Sequence, residues 1–337
     1  MKARPRSCST FSLCQRRKGA PSPRRRKLPP ARVGLRLLSV LSVLAALWLA
    51  GCATAPVPAP VPEAPVVTPA VPKKPPRIGL ALGGGAARGF AHIGVIQVLE
   101  EAGIRPALVV GTSAGSVVAA FYASGKNGAQ LQQVAETMEE ATFADWTLPI
   151  FSRGLLRGEA LARYVSTQVN GRLIENMALP LGIVATDLNS GQGVLFQRGD
   201  TATAVRASSA VPALFQPVKV AGREYVDGGL VSPVPVRYAR QMGAELIIAV
   251  DISDPPEGNA ASDTLQVLLQ TFSIMGKSIN NFELRDADVV VRPVLTGVAG
   301  SDFGARRRSI EAGRAAMRSA LPQLRAALQA HQSQSKP

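Results

Sequence analysis

The most informative segment of the sequence is Gly111-Thr112-Ser113-Ala114-Gly115, because of the patterns on each side of it. The apolar run Ala107–Val110 predicts a buried strand before it, and Val117–Ser124 predicts a helix after it. A serine flanked by glycines at such a junction is typical of a nucleophile elbow, a turn too sharp for a Cβ at Gly111 or Gly115. The helix dipole then favours negative charge near Ser113. A plain strand-to-helix turn is the alternative for so short a motif.

Short apolar runs alternate with helical patterns from Arg77 onward, and this alternation predicts an α/β layered fold with a mostly parallel sheet. The further predicted strands are Ile78–Leu82, Leu181–Asp187, Val194–Gln197, Leu246–Ile252 and Asp288–Pro293. The further predicted helices are Phe90–Gly103, Ala129–Glu140, Gly158–Val169, Val234–Gln241, Thr264–Asn281 and Ile310–Ala330.

A glycine-rich loop, Gly83-Gly84-Gly85-Ala86-Ala87-Arg88-Gly89, follows the first predicted strand. Three consecutive glycines allow backbone N–H groups to converge on one oxygen, as an oxyanion hole requires. Arg88 can add positive charge or brace the loop. A dinucleotide-binding loop is the competing interpretation, but Arg88 stands where its third glycine belongs, and a P-loop is excluded because G-K-[ST] is absent.

A third motif, Asp227-Gly228-Gly229, is on its own a common turn. Together and in this order, the three motifs resemble the patatin-like phospholipase family, and its bacterial branch in particular. The resemblance covers about residues 77–328 and includes Gly89–Val95 and the run from Ala207 to Pro217. It implies a three-layer fold with helices on both faces of the sheet, and a Ser113–Asp227 dyad that cleaves acyl esters.

The scarcity of histidine bears on the mechanism. A Ser-His-Asp triad needs a histidine, and the chain has only His92 and His331. His331 lies in a polar tail, and His92 is expected to pack behind the glycine loop rather than to act as the base. Asp187 and Asp251 end predicted strands and are interpreted as structural. No cluster of His, Cys, Asp and Glu has metal-ligand spacing, so neither a metal nor another cofactor is predicted.

The charge of +15 is concentrated at the amino terminus. Residues 1–36 hold 12 of the 38 lysines and arginines and no acidic residue, which leaves 26 basic and 23 acidic residues for the rest. A body so close to neutral has no strong electrostatic reason to bind phosphates. Nucleic acid is therefore not an expected partner.

The basic leader is followed by 13 apolar or small residues, Leu37–Leu49, too few to span a bilayer but suited to a signal peptide. Leu49-Ala50-Gly51-Cys52 resembles the bacterial lipobox, in which the cysteine is acylated after cleavage. An ordinary secretory signal with a chance cysteine is the alternative. Ala53 favours the outer membrane of the cell envelope over the inner one.

The expected organisation has four parts. Residues 1–51 are a signal peptide, and residues 52–76 are a lipidated cysteine with a proline-rich spacer of polyproline II type. Residues 77–328 are the catalytic domain and residues 329–337 a disordered tail.

Three functions from different classes follow from these patterns. The first is a membrane-tethered serine acyl-ester hydrolase, of phospholipase A or lysophospholipase type, acting on phospholipid or another acyl ester. The second is a catalytically idle lipoprotein that binds acyl chains or a partner protein. The third is a nucleotide-binding regulator, which the glycine-loop mismatch disfavours. The sequence does not give the oligomeric state.

Overall fold

The computed structural model describes residues 75–138, 145, 153–253 and 263–334. The predicted signal peptide, Cys52 and nearly all of the spacer lie outside these residues. The strands are β1 (Ile78–Leu82), β2 (Leu108–Thr112), β3 (Gly154–Leu156), β4 (Leu181–Asp187), β5 (Gly193–Phe196), β6 (Ala213–Phe215), β7 (Val218–Val220), β8 (Arg223–Asp227), β9 (Leu246–Val250) and β10 (Val289–Val291). The helices are α1 (Ala91–Glu101), α2 (Ala114–Ala123), α3 (Gly128–Glu136), α4 (Glu159–Gln168), α5 (Thr201–Ser208), α6 (Val236–Gln241), α7 (Thr264–Glu283) and α8 (Arg306–Gln334).

One mixed sheet forms the centre, in the order β10-β9-β1-β2-β4-β8-β7, with β5 also paired to β4. The pairs from β10 through β4 are parallel, and β5, β7 and β8 add antiparallel pairs at one side. A separate two-stranded sheet joins β3 and β6. The prediction of a mostly parallel sheet is confirmed for the half that carries the glycine loop and the nucleophile elbow, whereas the Asp227-Gly228-Gly229 motif begins at the end of the antiparallel strand β8.

Alternate residues of the central strands supply two separate cores. Leu80 and Leu82 of β1 pack with α1 and α8 on one face, whereas Ala81 between them packs with α6 on the other. This alternation follows from the two-residue period of a strand, and near-continuous apolar strands are expected when both faces are covered. The α/β arrangement with helices on both faces is therefore confirmed.

Strand β4 pairs with both β2 and β8 along one of its edges, so these two strands lie end to end. Its residues Ile183–Thr186 pair with β5 along one edge, so its other edge must take β2 and β8. On that edge Val184 pairs with Thr112 and the next residue, Ala185, pairs with Asp227. The last residues of β2 and β8 therefore meet beside adjacent positions of one buried strand.

Most predicted elements of the parallel half lie within a few residues of the observed ones, and Leu181–Asp187 is confirmed in full. Strands β3, β6, β7 and β8 and helix α5 were not predicted, because their short or Ala/Thr-rich sequences carry little hydrophobic period. The prediction of disorder from residue 329 was wrong for residues 329–334, because helix α8 continues to Gln334. Within this helix Leu324 is buried in the core, and Ala327 and Leu328 pack against it.

No helix in the described part of the chain is both long enough and apolar enough to cross a bilayer.

Candidate active site

Ser113 sits at the junction of β2 and α2 with φ 52° and ψ −124°, a conformation that side chains rarely adopt. Such strain at a strand-to-helix turn projects a serine out of the sheet. A Cβ at Gly111 would overlap the backbone of Gly115, and one at Gly115 would overlap the carbonyl of Leu82. The predicted nucleophile elbow is therefore present, and both glycines are required by close backbone approach.

Asp227 ends β8 and faces the serine directly. The Ser113 hydroxyl donates a 2.7 Å hydrogen bond to Asp227 Oδ2, and the Gly229 amide donates to Oδ1 at 2.6 Å. Gly228 is required because a Cβ there would overlap the carbonyl of Val184. Burial raises the pKa of Asp227 from 3.8 to about 6, against the lowering effect of the bonds from Ser113 and Gly229. A carboxylate with such a pKa is a better base than an ordinary aspartate near neutral pH.

A set of hydroxyl groups fixes the two residues relative to each other. The Ser113 amide donates to Ser208 Oγ at 2.9 Å, and the Ser208 hydroxyl donates to the carbonyl of Val184 at 2.6 Å. Thr186 Oγ1 donates to the carbonyl of Asp227 at 2.8 Å. Both chains of bonds end on β4, the strand that also sets the backbone register.

Sequence reasoning did not single out Ser208 as functional. It lies in a run of small residues, Ala207–Ala210, at the end of α5, and its neighbour Ser209 looks the same in sequence. The one local signal was Asp200, which caps α5 by accepting from the Thr203 amide at 2.7 Å. A helix begun there places Ser208 eight residues on, at the carboxyl end of α5 beside the nucleophile.

The glycine loop lies against Ser113, but it does not offer the predicted set of amides. A Cβ on Gly84 would lie 3.1 Å from Ser113 Cβ. However, the Gly83 amide donates to the Val250 carbonyl at 3.0 Å, and the Gly84 amide to the Pro233 carbonyl at 2.9 Å. These two amides hold the loop in place and are not available to an oxyanion, which corrects the prediction for Gly83 and Gly84.

The amides of the loop that remain available begin at Gly85. Among the described residues, the Gly85 and Ala86 amides have no hydrogen-bond acceptor. The Ala114 amide opens α2 directly after Ser113, where a helix leaves its first N–H groups unbonded. Predicted donor Gly85 is thus retained, and the positive end of α2 supplies a second set of donors.

Arg88 braces the loop, which was one of its two predicted roles. Its side chain is buried and donates to the Ser253 carbonyl at 2.8 Å, and its amide closes a turn on the Gly85 carbonyl at 3.1 Å. A guanidinium held in this way stabilises the turn after the glycines.

His92 lies behind the loop, as predicted. It is fully buried, and its Nε2–H donates to the Gly83 carbonyl at 2.8 Å, since a carbonyl oxygen can only accept. Its Nδ1 has no partner among the described residues. Burial lowers the pKa of His92 from 6.5 to about 4, so the ring is neutral at physiological pH.

The other two acidic residues that end strands are structural, as expected. Asp187 accepts the amides of Asn189 and Ser190, and Asp251 accepts the Ser253 amide at 3.1 Å. Within the described residues no group of three His, Cys, Asp or Glu side chains is placed to hold a metal ion.

The family model described as patatin-like phospholipase matches residues 80–240, a segment that contains the glycine loop, Ser113 and Asp227. This segment is therefore similar to a patatin-like phospholipase domain. An NTE family protein of Mycobacterium tuberculosis is 37% identical over 204 residues, which cover 60% of this chain and 56% of the relative.

Two further similarities concern the extent of the match and the fold. Patatin-like phospholipase domain-containing protein 6 of Mus musculus is 34% identical over 188 residues, 53% of this chain but 14% of the mouse protein. The matched part thus spans little more than half of the mycobacterial relative and a small part of the mouse protein. The crystal structure of VipD from Legionella pneumophila shares the fold, with a TM-score of 0.51, 15% identity, and coverage of 74% of this chain and 67% of that one.

Proposed function

We propose that this protein is a membrane-tethered serine acyl-ester hydrolase, of phospholipase A or lysophospholipase type, in which Ser113 and Asp227 form the catalytic dyad. The observation that carries the proposal is the 2.7 Å hydrogen bond from the strained Ser113 to the buried Asp227. A nucleophile in contact with a base whose pKa lies near neutrality is the arrangement that covalent catalysis by serine requires. The family match supports a lipid as the substrate class.

In the first half of the reaction Asp227 Oδ2 takes the Ser113 proton while Oγ bonds to the ester carbonyl carbon. The carbonyl oxygen becomes an oxyanion, and the Gly85 and Ala86 amides with the first turn of α2 donate to it. When the intermediate collapses, the carbon–alkoxide bond breaks and Asp227 gives its proton to the leaving alcohol. Water then repeats the same steps on the acyl-serine and releases a fatty acid.

The tether belongs to the same proposal. Leu49–Cys52 has the lipobox pattern, and a proline-rich spacer separates Cys52 from β1. Acylation of Cys52 would hold the domain at a bacterial envelope membrane, the outer one by the identity of Ala53. Metabolic labelling with an alkyne fatty acid tests this, because label on the parent should vanish in Cys52→Ala and persist in Cys14→Ala. Label unchanged in Cys52→Ala would contradict the anchor.

Fluorophosphonate labelling of the full chain in detergent tests the dyad, since this reagent traps activated serines. We expect the parent to label, Ser113→Ala not to label, and Asp227→Asn to label far more slowly. Ser209→Ala and Asp187→Asn are matched controls, because each removes a buried group of the same type away from the dyad. Both should label like the parent.

The two failures of this test have different meanings. Labelling that survives Ser113→Ala would place the reactive serine elsewhere. No labelling under conditions in which a control esterase reacts would favour the idle lipoprotein that binds acyl chains. If the parent labels, release of fatty acid from phospholipid and lysophospholipid, lost in Ser113→Ala, identifies the substrate class.

A further inference from the structure

Helix α7 presents large apolar side chains to solvent. Val267 is 53% exposed and Phe282 69% exposed, and Ile274 and Met275 lie between them. With Leu268 these residues recur seven apart along one side of the helix, which is two helical turns. We call these five side chains the α7 stripe. A contiguous apolar surface of this kind marks an interaction site, whereas a surface helix normally turns such a face inward.

The inner side of α7 is bonded to the loops that frame the catalytic dyad. Glu283 accepts a 2.6 Å hydrogen bond from Ser232, whose carbonyl in turn accepts from Thr112, the residue before the nucleophile. Asn280 donates to Ser253 Oγ at 2.9 Å, and the Ser253 carbonyl holds Arg88 of the glycine loop. These bonds connect α7 to the elbow at Ser113 and to the glycine loop, which we call the catalytic loops. The α7 stripe is the outer side of the helix that braces them.

The charged residues near the α7 stripe indicate which kind of surface the stripe can bind. Asp263 caps α7 and Glu283 near its end is buried, and between them residues 264–282 contain one charged side chain, the basic Lys277. At the carboxyl end the Arg285 guanidinium stacks over the Phe282 ring at 5.1 Å. An aromatic ring and arginine at the edge of an apolar face are typical of a helix that lies in an anionic lipid interface. Paired helices of two copies would instead need complementary charges beside the seam.

We infer that the α7 stripe docks on an anionic lipid bilayer, with α7 lying in the plane of the interface. The inference rests on the proposed function, which gives the site a substrate in that bilayer. Docking there would bring the catalytic loops to the lipid surface, so that an acyl chain reaches Ser113 without crossing water.

The path of the tether is compatible with this docking. The chain enters the domain at Arg77, before the amino end of β1, whereas Ser113 follows the carboxyl end of the parallel strand β2. A segment of 22 residues, the number from Ala53 to Lys74, can reach at most about 70 Å at the rise of polyproline II. That length lets the opposite edge of the sheet face the membrane, and a tether makes even shallow docking effective.

Comparison of two substrates tests the docking. The stripe variant is Ile274→Ser, Met275→Ser and Phe282→Ser, made in the full chain. The matched control changes three exposed apolar side chains elsewhere, Leu173→Ser, Leu188→Ser and Val294→Ser. Each protein is assayed on a soluble short-chain ester and on phospholipid in vesicles that contain phosphatidylglycerol.

We expect the stripe variant to turn over the soluble ester within about twofold of the parent, and to lose about tenfold or more on vesicles. The control should resemble the parent on both substrates. Equal vesicle turnover by parent and stripe variant would overturn the docking while leaving the hydrolase intact. A parent that sediments in detergent as a dimer, with a monomeric stripe variant, would assign the stripe to a second copy and also overturn it.

A measurement independent of catalysis separates this inference from the proposed function. A fluorophore on Met275→Cys, in the full chain with Ser113→Ala and reconstituted in vesicles, should be quenched by spin-labelled phospholipid. A fluorophore on Glu311→Cys of α8 should not be quenched, and labelled Ser113→Ala without an added cysteine gives the baseline. Equal quenching at the two positions would reject the docking whether or not the parent hydrolyses esters.

Discussion

The two sides of the glycine loop each hold a buried titratable residue, and the two residues differ in the hydrogen bonds that they make, which the composition does not show. On the side of Gly84 lies Ser113 with its partner Asp227, and His92 is bonded to the Gly83 carbonyl; Asp227 and His92 are both almost wholly buried. Burial raises the pKa of Asp227 to about 6 and lowers the pKa of His92 to about 4, because each shift favours the neutral form. What separates the two is contact. Asp227 accepts a hydrogen bond from Ser113, whereas His92 donates one to the backbone of the loop.

The comparison of Asp227 with His92 shows that a perturbed pKa indicates a functional group only where the geometry places a reacting partner beside that group. It also gives the two sides opposite effects on stability. A raised aspartate pKa stabilises the fold at low pH, and this stability is lost as the pH rises from about 4 to about 6. A lowered histidine pKa destabilises the fold as the pH falls from 6.5 to about 4, because the unfolded chain then binds the proton.

Asp227→Asn should produce the largest change and separate function from stability. Turnover should fall by about a thousandfold or more, because general-base assistance is lost. The free energy of unfolding at pH 7 should rise, by at most about 3 kcal/mol, because the variant no longer buries a carboxylate. Urea unfolding at pH 7 and pH 4 measures this, and the gain should shrink at pH 4, where Asp227 is protonated in the parent. A variant that loses stability at pH 7 would contradict the burial argument.

The pH profile of the parent should show the same group. Only ionised Asp227 accepts the serine proton, so kcat/KM should rise with pH and level off above a pKa of about 6. Between that plateau and pH 4 the expected loss is about a hundredfold. Initial rates on a soluble ester, over a range in which the fold is stable by circular dichroism, provide the measurement. A pKa near 4 in this profile would mean that burial does not raise the pKa of the Asp227 carboxyl in the free enzyme.

Ser208→Ala should have an intermediate effect, because it removes the acceptor of the Ser113 amide without touching the dyad. We expect kcat to fall about tenfold with KM little changed, and the free energy of unfolding to fall by about 1–2 kcal/mol for a buried amide left unpaired. Ser209→Ala is the control, since its hydroxyl is buried without a partner among the described residues. A loss confined to KM would assign Ser208 to substrate binding instead.

The same contrast explains what the sequence could predict. The elbow at Ser113 is local: strand, glycines and helix are contiguous, and Gly111 is required by the backbone of Gly115. The reason for Gly115 is more distant, because a Cβ there would overlap Leu82 of β1. The position of His92 behind the loop is also local, nine residues from Gly83. Patterns of this range can be interpreted without a structure, and they were confirmed.

Asp227 is 114 residues from Ser113 and reaches it through β4, whose pairing with β2 and β8 no local pattern shows. Only the family resemblance joined the two motifs. Gly83 and Gly84 were wrongly predicted as oxyanion donors for a similar reason, since the hydrogen bonds from their amides end on Val250 and Pro233. Hydrogen bonds to distant carbonyls decide which amides stay available, and three glycines in a row do not reveal them.

His92→Gln is the smallest expected change and the sharpest test of the contrast. Glutamine keeps an N–H that can donate to Gly83, so kcat/KM should stay within about threefold of the parent. The apparent pKa below which kcat/KM falls should not change. Stability should change instead: the parent loses up to about 3 kcal/mol through His92 between pH 7 and pH 4, and the variant should be spared that loss. Unfolding of both proteins in the Asp227→Asn background isolates the effect, because the opposing contribution of Asp227 is then absent. If His92→Gln instead abolished turnover while the fold stayed intact, the histidine would belong to the catalytic side of the loop and the dyad would be incomplete without it.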